Sequence, residues 1–349
     1  MKDLDLGSNI LTIKNRINSL ALLGEFLVQP DTGLERLIAS ASQQNAWFTP
    51  ENTRRAVSAT GKMLNREDLE QWLGGYPELE NENTAKSVGL VLAGNIPMVG
   101  FHDILSVLAS GNKALIKLSS QDNKLIPYVL NKLVDIEPAF AERFEFIERL
   151  SGFDSVIATG SGNTSRYFEY YFKNVPHIIR RNRNSIAIVD GSESVAELKA
   201  LGRDIFDYFG LGCRNVSKLY VPEGYDFSAF FEAIEEYGPV SDHHKYNNNY
   251  DYNKSIFLVN QDKHLDNGFL LVKNDQRLAS PLAVLYYEEY LSLMQLPQLL
   301  DPLRDQVQCV ATNIPVALDM AVVKPGQTQQ PQLWDYADRV DTMAFLQGL

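Results

Sequence analysis

Apolar residues recur at helical spacing through residues 1–75, which predicts a helical opening segment. Thr49-Pro50-Glu51-Asn52 is a strong helix start within it. The hydroxyl can accept from the first turn, the proline has its φ already set, and the acid complements the helix dipole. Leu64, Leu69, Trp72 and Leu73 supply the apolar face of that helix or of the next. Gly74-Gly75-Tyr76-Pro77 then breaks the period, and residues 78–83 read as a polar linker.

From residue 87 the pattern changes to short apolar runs separated by helical stretches. Strands are predicted at 87–93, 113–118 and 154–159, helices at 97–110, 123–133 and 166–172, and an extended segment at 177–180. Such alternation predicts a mostly parallel sheet covered by helices. A second set follows: strand 185–189, helix 192–209, strand 216–221 and helix 226–237. Further strands are predicted near 255–260, 268–273, 282–287 and 307–312, with the Asn/Tyr cluster at 246–253 as a polar loop. The join near 182–184 is the expected domain boundary, and residues 334–346 carry a weak helical signal.

Composition narrows the function. A chain of 349 residues that is 45% hydrophobic can build two domains or one large one. Its net charge of −12 argues against broad contact with nucleic acid or anionic membranes. Two cysteines, Cys213 and Cys309, make neither a disulfide framework nor a cysteine metal site, and the histidines lack ligand spacing, so no metal is expected. The opening residues do not have the form of a signal peptide, and no apolar run reaches transmembrane length. A cytoplasmic location is expected.

Candidate chemistry centres on Phe209-Gly210-Leu211-Gly212-Cys213-Arg214-Asn215. A thiol at a sharp helix-to-strand turn can present its sulfur and its backbone N–H to one carbonyl, which suits acyl chemistry. The alternative is a buried structural thiol. Gly94-Asn95 follows a strand and reads as a helix start, able to hold an anion, to donate the Asn95 amide to an oxyanion, or simply to cap. Gly160-Ser161-Gly162-Asn163 is a second such loop, suited to a pyrophosphate or to an ordinary turn. Lys117, before Ser119-Ser120, could reach a cofactor or snorkel from a strand end. Arg180-Arg181-Asn182-Arg183 is either a phosphate site or a solvated boundary. His243-His244 could transfer protons or be structural, and Cys309 reads as core.

The ordered set resembles the aldehyde dehydrogenase superfamily, and within it the acyl-CoA reductases related to the fatty-acid reductase of bacterial luminescence systems. Gly94-Asn95-Ile96-Pro97 matches the Asn-containing oxyanion loop. Ala109-Ser110-Gly111-Asn112 with Leu115-Ile116-Lys117-Leu118-Ser119 resembles "AAGN…VLKPSE". Thr159-Gly160-Ser161 resembles the "TGS" cofactor loop, and Ser185-Ile186-Ala187-Ile188-Val189-Asp190 the strand opening the catalytic domain. Gly212-Cys213 then falls at the nucleophile. The resemblance covers roughly residues 87–290, and Trp47-Phe48-Thr49-Pro50-Glu51-Asn52 has the character of the reductase branch.

The resemblance implies an α/β, aldehyde dehydrogenase-like fold. Residues 1–182 would hold the N-terminal helices and a Rossmann-like cofactor domain, residues 183–325 the catalytic domain, and residues 326–349 a tail. It implies an oxidoreductase that reduces an acyl-CoA or other acyl thioester to an aldehyde through Cys213, with Asn95 as oxyanion donor. Lys117, Ser119, Thr159, Gly160 and Ser161 would hold NADPH, with NADH as the other candidate. Two departures stand out. The hydrolytic family's "ELGG" glutamate falls on Arg180, and the "EIFGP" glutamate falls near Arg277. The first favours CoA-dependent reduction over oxidation to an acid, because water is no longer activated. The second opens the alternative of a non-redox acyltransferase or acyl carrier, and a catalytically silent interaction subunit is a third reading. The short segment 76–86 leaves little room for the superfamily's oligomerisation hairpin.

Overall fold

The computed structural model describes residues 11–80 and 85–349, so residues 1–10 of the helical segment and 81–84 of the linker lie outside the described part. Helices α1 (Ile13–Val28), α2 (Thr32–Ser40), α3 (Pro50–Met63) and α4 (Arg66–Gly74) open the chain. Each starts at a side chain that accepts from its first turn: Thr12 from Asn15, Asp31 from Leu34, Thr49 from Asn52 and Asn65 from Asp68. Helices α1 and α3 approach closely, and a Cβ on Gly61 would lie 2.8 Å from Gly24 O and Leu27 Cβ.

The first sheet is built from β1 (Ser87–Val91), β2 (Lys113–Lys117), β3 (Phe144–Phe146), β4 (Ser155–Thr159) and β5 (His177–Arg180). Its order is β3-β2-β1-β4-β5 and all its pairs are parallel. The crossovers carry α5 (Phe101–Ala109), α6 (Leu125–Ile136) and α7 (Gly162–Phe172). Val88, Leu90, Ile116 and Ile157 pack in one core with Ile104 and Leu108 of α5 and Val129 and Leu133 of α6. Strands covered on both faces need no polar alternation, which explains their continuous apolar runs. The connection after β1 runs outward to β2, and the connection after the neighbouring β4 runs the opposite way, to β5. That is where a doubly wound sheet opens a binding crevice at its carboxyl edge.

One helix starts later than its spacing predicts. Residues 95–100 form bends and turns, with Met98 left-handed at φ 61°, and α5 begins only at Phe101. Gly94-Asn95 is therefore a loop after β1 and not a helix N-terminus.

The second sheet contains β6 (Asn184–Ile188), β7 (Val216–Pro222), β8 (Leu265–Asp266), β9 (Leu271–Asn274), β10 (Val284–Tyr290), β11 (Val307–Ala311) and β12 (Val322–Val323). Its order is β12-β11-β6-β7-β10-β9-β8, parallel except for β8 with β9. Helices α8 (Val195–Phe206), α9 (Ser228–Ile234), α10 (His244–Asn260) and α11 (Leu296–Leu300) accompany it. The loop expected at 246–253 and the strand expected at 255–260 are both parts of α10. Its buried stripe is Tyr246, Tyr250, Asn253 and Phe257, in which tyrosines and an asparagine replace the aliphatic residues of an ordinary stripe. Exposed Leu258 and Val259 complete the disguise, since Ile-Phe-Leu-Val reads as a strand.

The described residues up to Arg181, together with Gln332–Leu349, form one compact unit, and Asn182–Pro331 forms another. The tail is thus divided rather than separate. Within the first unit, Trp72 Nε1 donates to the Tyr336 hydroxyl at 2.6 Å, and the Tyr76 hydroxyl donates to Asp341 at 2.9 Å. His102 Nε2 lies 2.9 Å from Leu333 O, and α12 (Thr342–Gln347) buries Met343 and Leu346 in the core. Among the described residues, no helix is long and apolar enough to cross a membrane.

Candidate active site

The first sheet gathers all five predicted cofactor residues, with Asn95, at its carboxyl edge. Val91 pairs with Lys117 on one side and Ala158 on the other, so the segments after β1, β2 and β4 emerge side by side. Lys117 is exposed at the end of β2 and donates from Nζ to Glu148 O at 3.1 Å. Ser119 lies against the β1 loop so closely that a Cβ on Gly94 would sit 2.5 Å from its hydroxyl. Thr159 ends β4, and Gly160 N donates to Arg180 O at 3.2 Å.

Helix α7 begins at Gly162 with Ser161 in the capping position, and no side-chain cap closes its first turn. Residues 161–164 are exposed. This leaves a helix N-terminus at the switch between β1 and β4, where backbone N–H groups and the dipole suit a pyrophosphate. A Cβ on Gly160 would crowd Phe168 and Thr164 at 3.0–3.1 Å, so the loop lies tight on its helix. A lysine, hydroxyls and a close backbone approach fit a dinucleotide.

Two buried groups brace the Asn95 loop. Asn45, 4% exposed, donates from Nδ2 to Gly94 O at 3.4 Å. Asp122, 3% exposed, accepts from Met98 N at 2.9 Å, and its carboxylate also receives the Leu125 N–H at the start of α6. Burial pushes the Asp122 carboxyl up to about 6, against the pull of those two N–H groups. Asn95 itself is exposed.

The basic run 180–183 is not a phosphate patch led by Arg180. That residue ends β5, buried, with its Nη2 2.7 Å from Asp103 Oδ1 on α5 and 2.7 Å from Thr342 Oγ1. Its Nη1 donates to Ala337 O at 2.6 Å. Arg181 is exposed and pairs with Glu169. Arg180 is committed to joining α5, β5 and the tail, and it supplies no carboxylate to activate water.

Cys213 belongs to the second unit, half-buried in the turn that joins α8 to β7. After α8 the chain runs through three consecutive left-handed residues, Tyr208, Phe209 and Gly210, at φ 54°, 58° and 77°. Only glycine adopts this region freely, so the bend is strained and its surroundings must hold it. The turn meets the amino edge of the sheet, where Ser185 Oγ donates to Cys213 O at 3.1 Å. Asn215, 3% exposed, closes the turn: its N–H donates to Gly212 O at 3.0 Å, and its Oδ1 accepts from Gly212 N at 2.8 Å. Its Nδ2 donates to Asp204 O and Asp207 O at 3.0 and 2.8 Å.

The histidine pair stacks on itself at 5.3 Å between centroids, and the His243 ring lies 4.3 Å from that of Phe209. His243 Nδ1 accepts from Tyr246 N at 3.4 Å, capping α10. Cys309 is fully buried, its sulfur 3.1 Å from Ser185 Oγ. Arg277 is exposed, bonded to Asp275 at 2.6 Å, with its guanidinium 5.0 Å from the Tyr286 ring centre. Asn45, Asp122 and Asn215 were not singled out from the sequence. Only Asn215 carried a local signal, a side chain able to bond back into a glycine turn.

No protein-family model matches the chain, and no curated protein matches it. Solved structures do. The chain is similar to aldehyde dehydrogenase 21 of Physcomitrella patens, solved with succinate, at 11% identity and TM-score 0.68 over 96% of this chain and 84% of that one. It is similar to an NAD-dependent aldehyde dehydrogenase of Sinorhizobium meliloti, at 10% identity and TM-score 0.66 over 89% and 74%. A third is the glyceraldehyde-3-phosphate dehydrogenase GapN of Methanocaldococcus jannaschii, solved with NADP, at 12% identity and TM-score 0.62 over 90% and 82%. The chain has the aldehyde dehydrogenase fold.

Proposed function

We propose that this protein is an oxidoreductase that reduces an acyl-CoA, or another acyl thioester, to an aldehyde with NADPH. The observation that carries the reading is the pairing of a braced Cys213 turn with an Arg180 locked to Asp103. The first supplies a nucleophile. By the sequence correspondence, Arg180 stands where a hydrolytic relative has its glutamate, and its guanidinium, committed to Asp103, offers no carboxylate to activate water. A chain that lacks this general base is suited to keep an acyl-enzyme from hydrolysis, which a reductase requires.

The Cys213 thiolate attacks the thioester carbonyl and CoA leaves as its thiol, taking one proton. His243 and His244 are the candidates to accept the Cys213 proton. Asn95 and the Cys213 N–H are the candidate oxyanion donors, and losing one such donor costs about 3 kcal/mol in the barrier. A bound nicotinamide would supply the hydride that turns the acyl thioester into a thiohemiacetal, whose collapse frees the aldehyde and the thiol. Lys117, Ser119, Thr159, Gly160 and Ser161 would hold that cofactor. NADPH is favoured over NADH because Lys117 ends β2 and Ser119-Ser120 follow in the loop, a cation and hydroxyls, while Asp122, the first acid after them, is buried and engaged by Met98 N and Leu125 N.

Intact-protein mass spectrometry after mixing with acyl-CoAs of different chain length tests this. An acyl mass on the wild type, absent from Cys213→Ala and discharged as aldehyde by NADPH, is the expected result. No adduct at any chain length sinks the reading. Arg277 favours a second reading, acyl transfer without redox, because it and Asp275 occupy the segment where the superfamily's ribose-binding glutamate is expected. An adduct that NADPH leaves in place but an acceptor removes is the mark of that reaction.

A further inference from the structure

We infer that Asn215 is the positioning residue for the Cys213 thiol, and that it sets the reactivity of the sulfur by fixing the turn that carries it. The inference deepens the reading of Cys213 as nucleophile and rests on it. Four hydrogen bonds support it, all within the second unit. The Asn215 backbone N–H and Oδ1 clamp both polar groups of Gly212, at 3.0 and 2.8 Å. Both protons of Nδ2 are spent on carbonyls at the end of α8, Asp204 O and Asp207 O, at 3.0 and 2.8 Å. Backbone from the start of the left-handed bend is thereby tied to the residue before the thiol, and Ser185 Oγ holds the carbonyl just after it.

The chemistry demands asparagine. The site needs one acceptor for an N–H and two donors for carbonyls on a short stem. Aspartate would set a carboxylate oxygen against two carbonyl oxygens, glutamine carries one methylene too many, and an apolar residue would strand three backbone groups. Buried backbone groups are otherwise paired, so a smaller residue leaves the turn free to relax toward other partners. The bend at 208–210 is strained and would relax in the same direction. An uncontrolled displacement of about 1 Å at a reacting atom can cost about 100-fold in rate.

The test uses Asn215→Ala and the milder Asn215→Ser, with Tyr290→Phe as control. Tyr290 donates one buried hydrogen bond to Val189 O at 2.9 Å near the opposite, carboxyl edge of the same sheet. Alkylation of Cys213 by iodoacetamide is followed from pH 6 to 10 by peptide-resolved mass spectrometry, beside thermal unfolding. The expected result is alkylation slowed about tenfold or more near neutrality, with its pH midpoint displaced, in Asn215→Ala, and a smaller change of the same kind in Asn215→Ser. Tyr290→Phe should lower the unfolding temperature yet keep the wild-type profile. If folded Asn215→Ser and Asn215→Ala alkylate as Tyr290→Phe does, Asn215 is merely structural and the inference is overturned. Alkylation needs no acyl-CoA and no NADPH. The result therefore stands or falls separately from the proposed reaction, for which kcat should fall with KM unchanged.

Discussion

Arg180 and Asp103 form a bidentate ion pair with both partners buried, Nη2 to Oδ1 at 2.7 Å and Nε to each carboxylate oxygen at 3.2 Å. The pair joins the last strand of the first sheet to its central helix. Removing one partner leaves a desolvated charge, which typically costs about 3–5 kcal/mol. Asp103→Ala should therefore lose stability on that scale in urea unfolding, and more than Arg181→Ala, which removes an exposed arginine from the half-buried Glu169. Equal losses in the two variants would refute the assignment.

Asp204 makes stability depend on pH. It lies at 1% exposure, accepting from Gly326 N, Thr328 N and Thr328 Oγ1, and burial pushes its carboxyl up to about 6. The folded chain holds this proton more tightly than the unfolded chain does. The resulting stability is fully present below about pH 4 and is lost as pH rises through about 6. A displacement of about two pH units corresponds to about 3 kcal/mol. The stability of wild type relative to Asp204→Asn should fall by that order between pH 4 and 7. A difference that stays constant with pH would count against the buried titration.

Gly94 decides how closely the loops after β1 and β2 approach. With a Cβ placed 2.5 Å from the Ser119 hydroxyl and 2.8 Å from Ser119 Cβ, Gly94→Ala must push the two loops apart. Overpacking of this kind costs about 1–3 kcal/mol. If these loops hold the dinucleotide, NADPH should also bind about tenfold or more weakly in a fluorescence titration. Unchanged affinity would remove this edge of the sheet from the cofactor site.

Tyr336 gives the tail a specific attachment. Tyr336→Phe would leave Trp72 Nε1 without its acceptor, and a stranded buried donor costs about 1–3 kcal/mol. The unfolding midpoint should drop accordingly, while Trp334→Ala, at a more exposed position, should change it less.

Most of the first unit was legible in the sequence because its signals are local, though the three-residue β3 (Phe144–Phe146) was too short to read. Thr49-Pro50 caps a helix where it stands, and Val88, Leu90 and Ile116 read as strand whatever surrounds them. Start signals fail where distant residues intervene. Pro97 looks like a first-turn proline, but Met98 is left-handed at φ 61° with its N–H held by Asp122, and α5 starts only at Phe101. Helix α10 was lost for a related reason, since its buried side takes tyrosine and asparagine whose polar atoms find partners such as Phe269 O and Leu282 O. The Cys213 turn was recognised from two glycines and a thiol. Asn215 gains its meaning only beside the carbonyls of Asp204 and Asp207, which composition does not announce.

The passage of the chain out at Arg181 and back at Gln332 orders events during synthesis. Domains tend to fold as units while the chain is being made. The ribosome completes Asn182–Pro331 before it makes the segment carrying Tyr336, Thr342 and Met343, so the later-begun unit has all its residues first. Until then the first unit lacks its acceptor for Trp72 and a partner of Arg180. The nascent protein therefore holds a finished thiol-bearing half before the half that would receive the nucleotide can close.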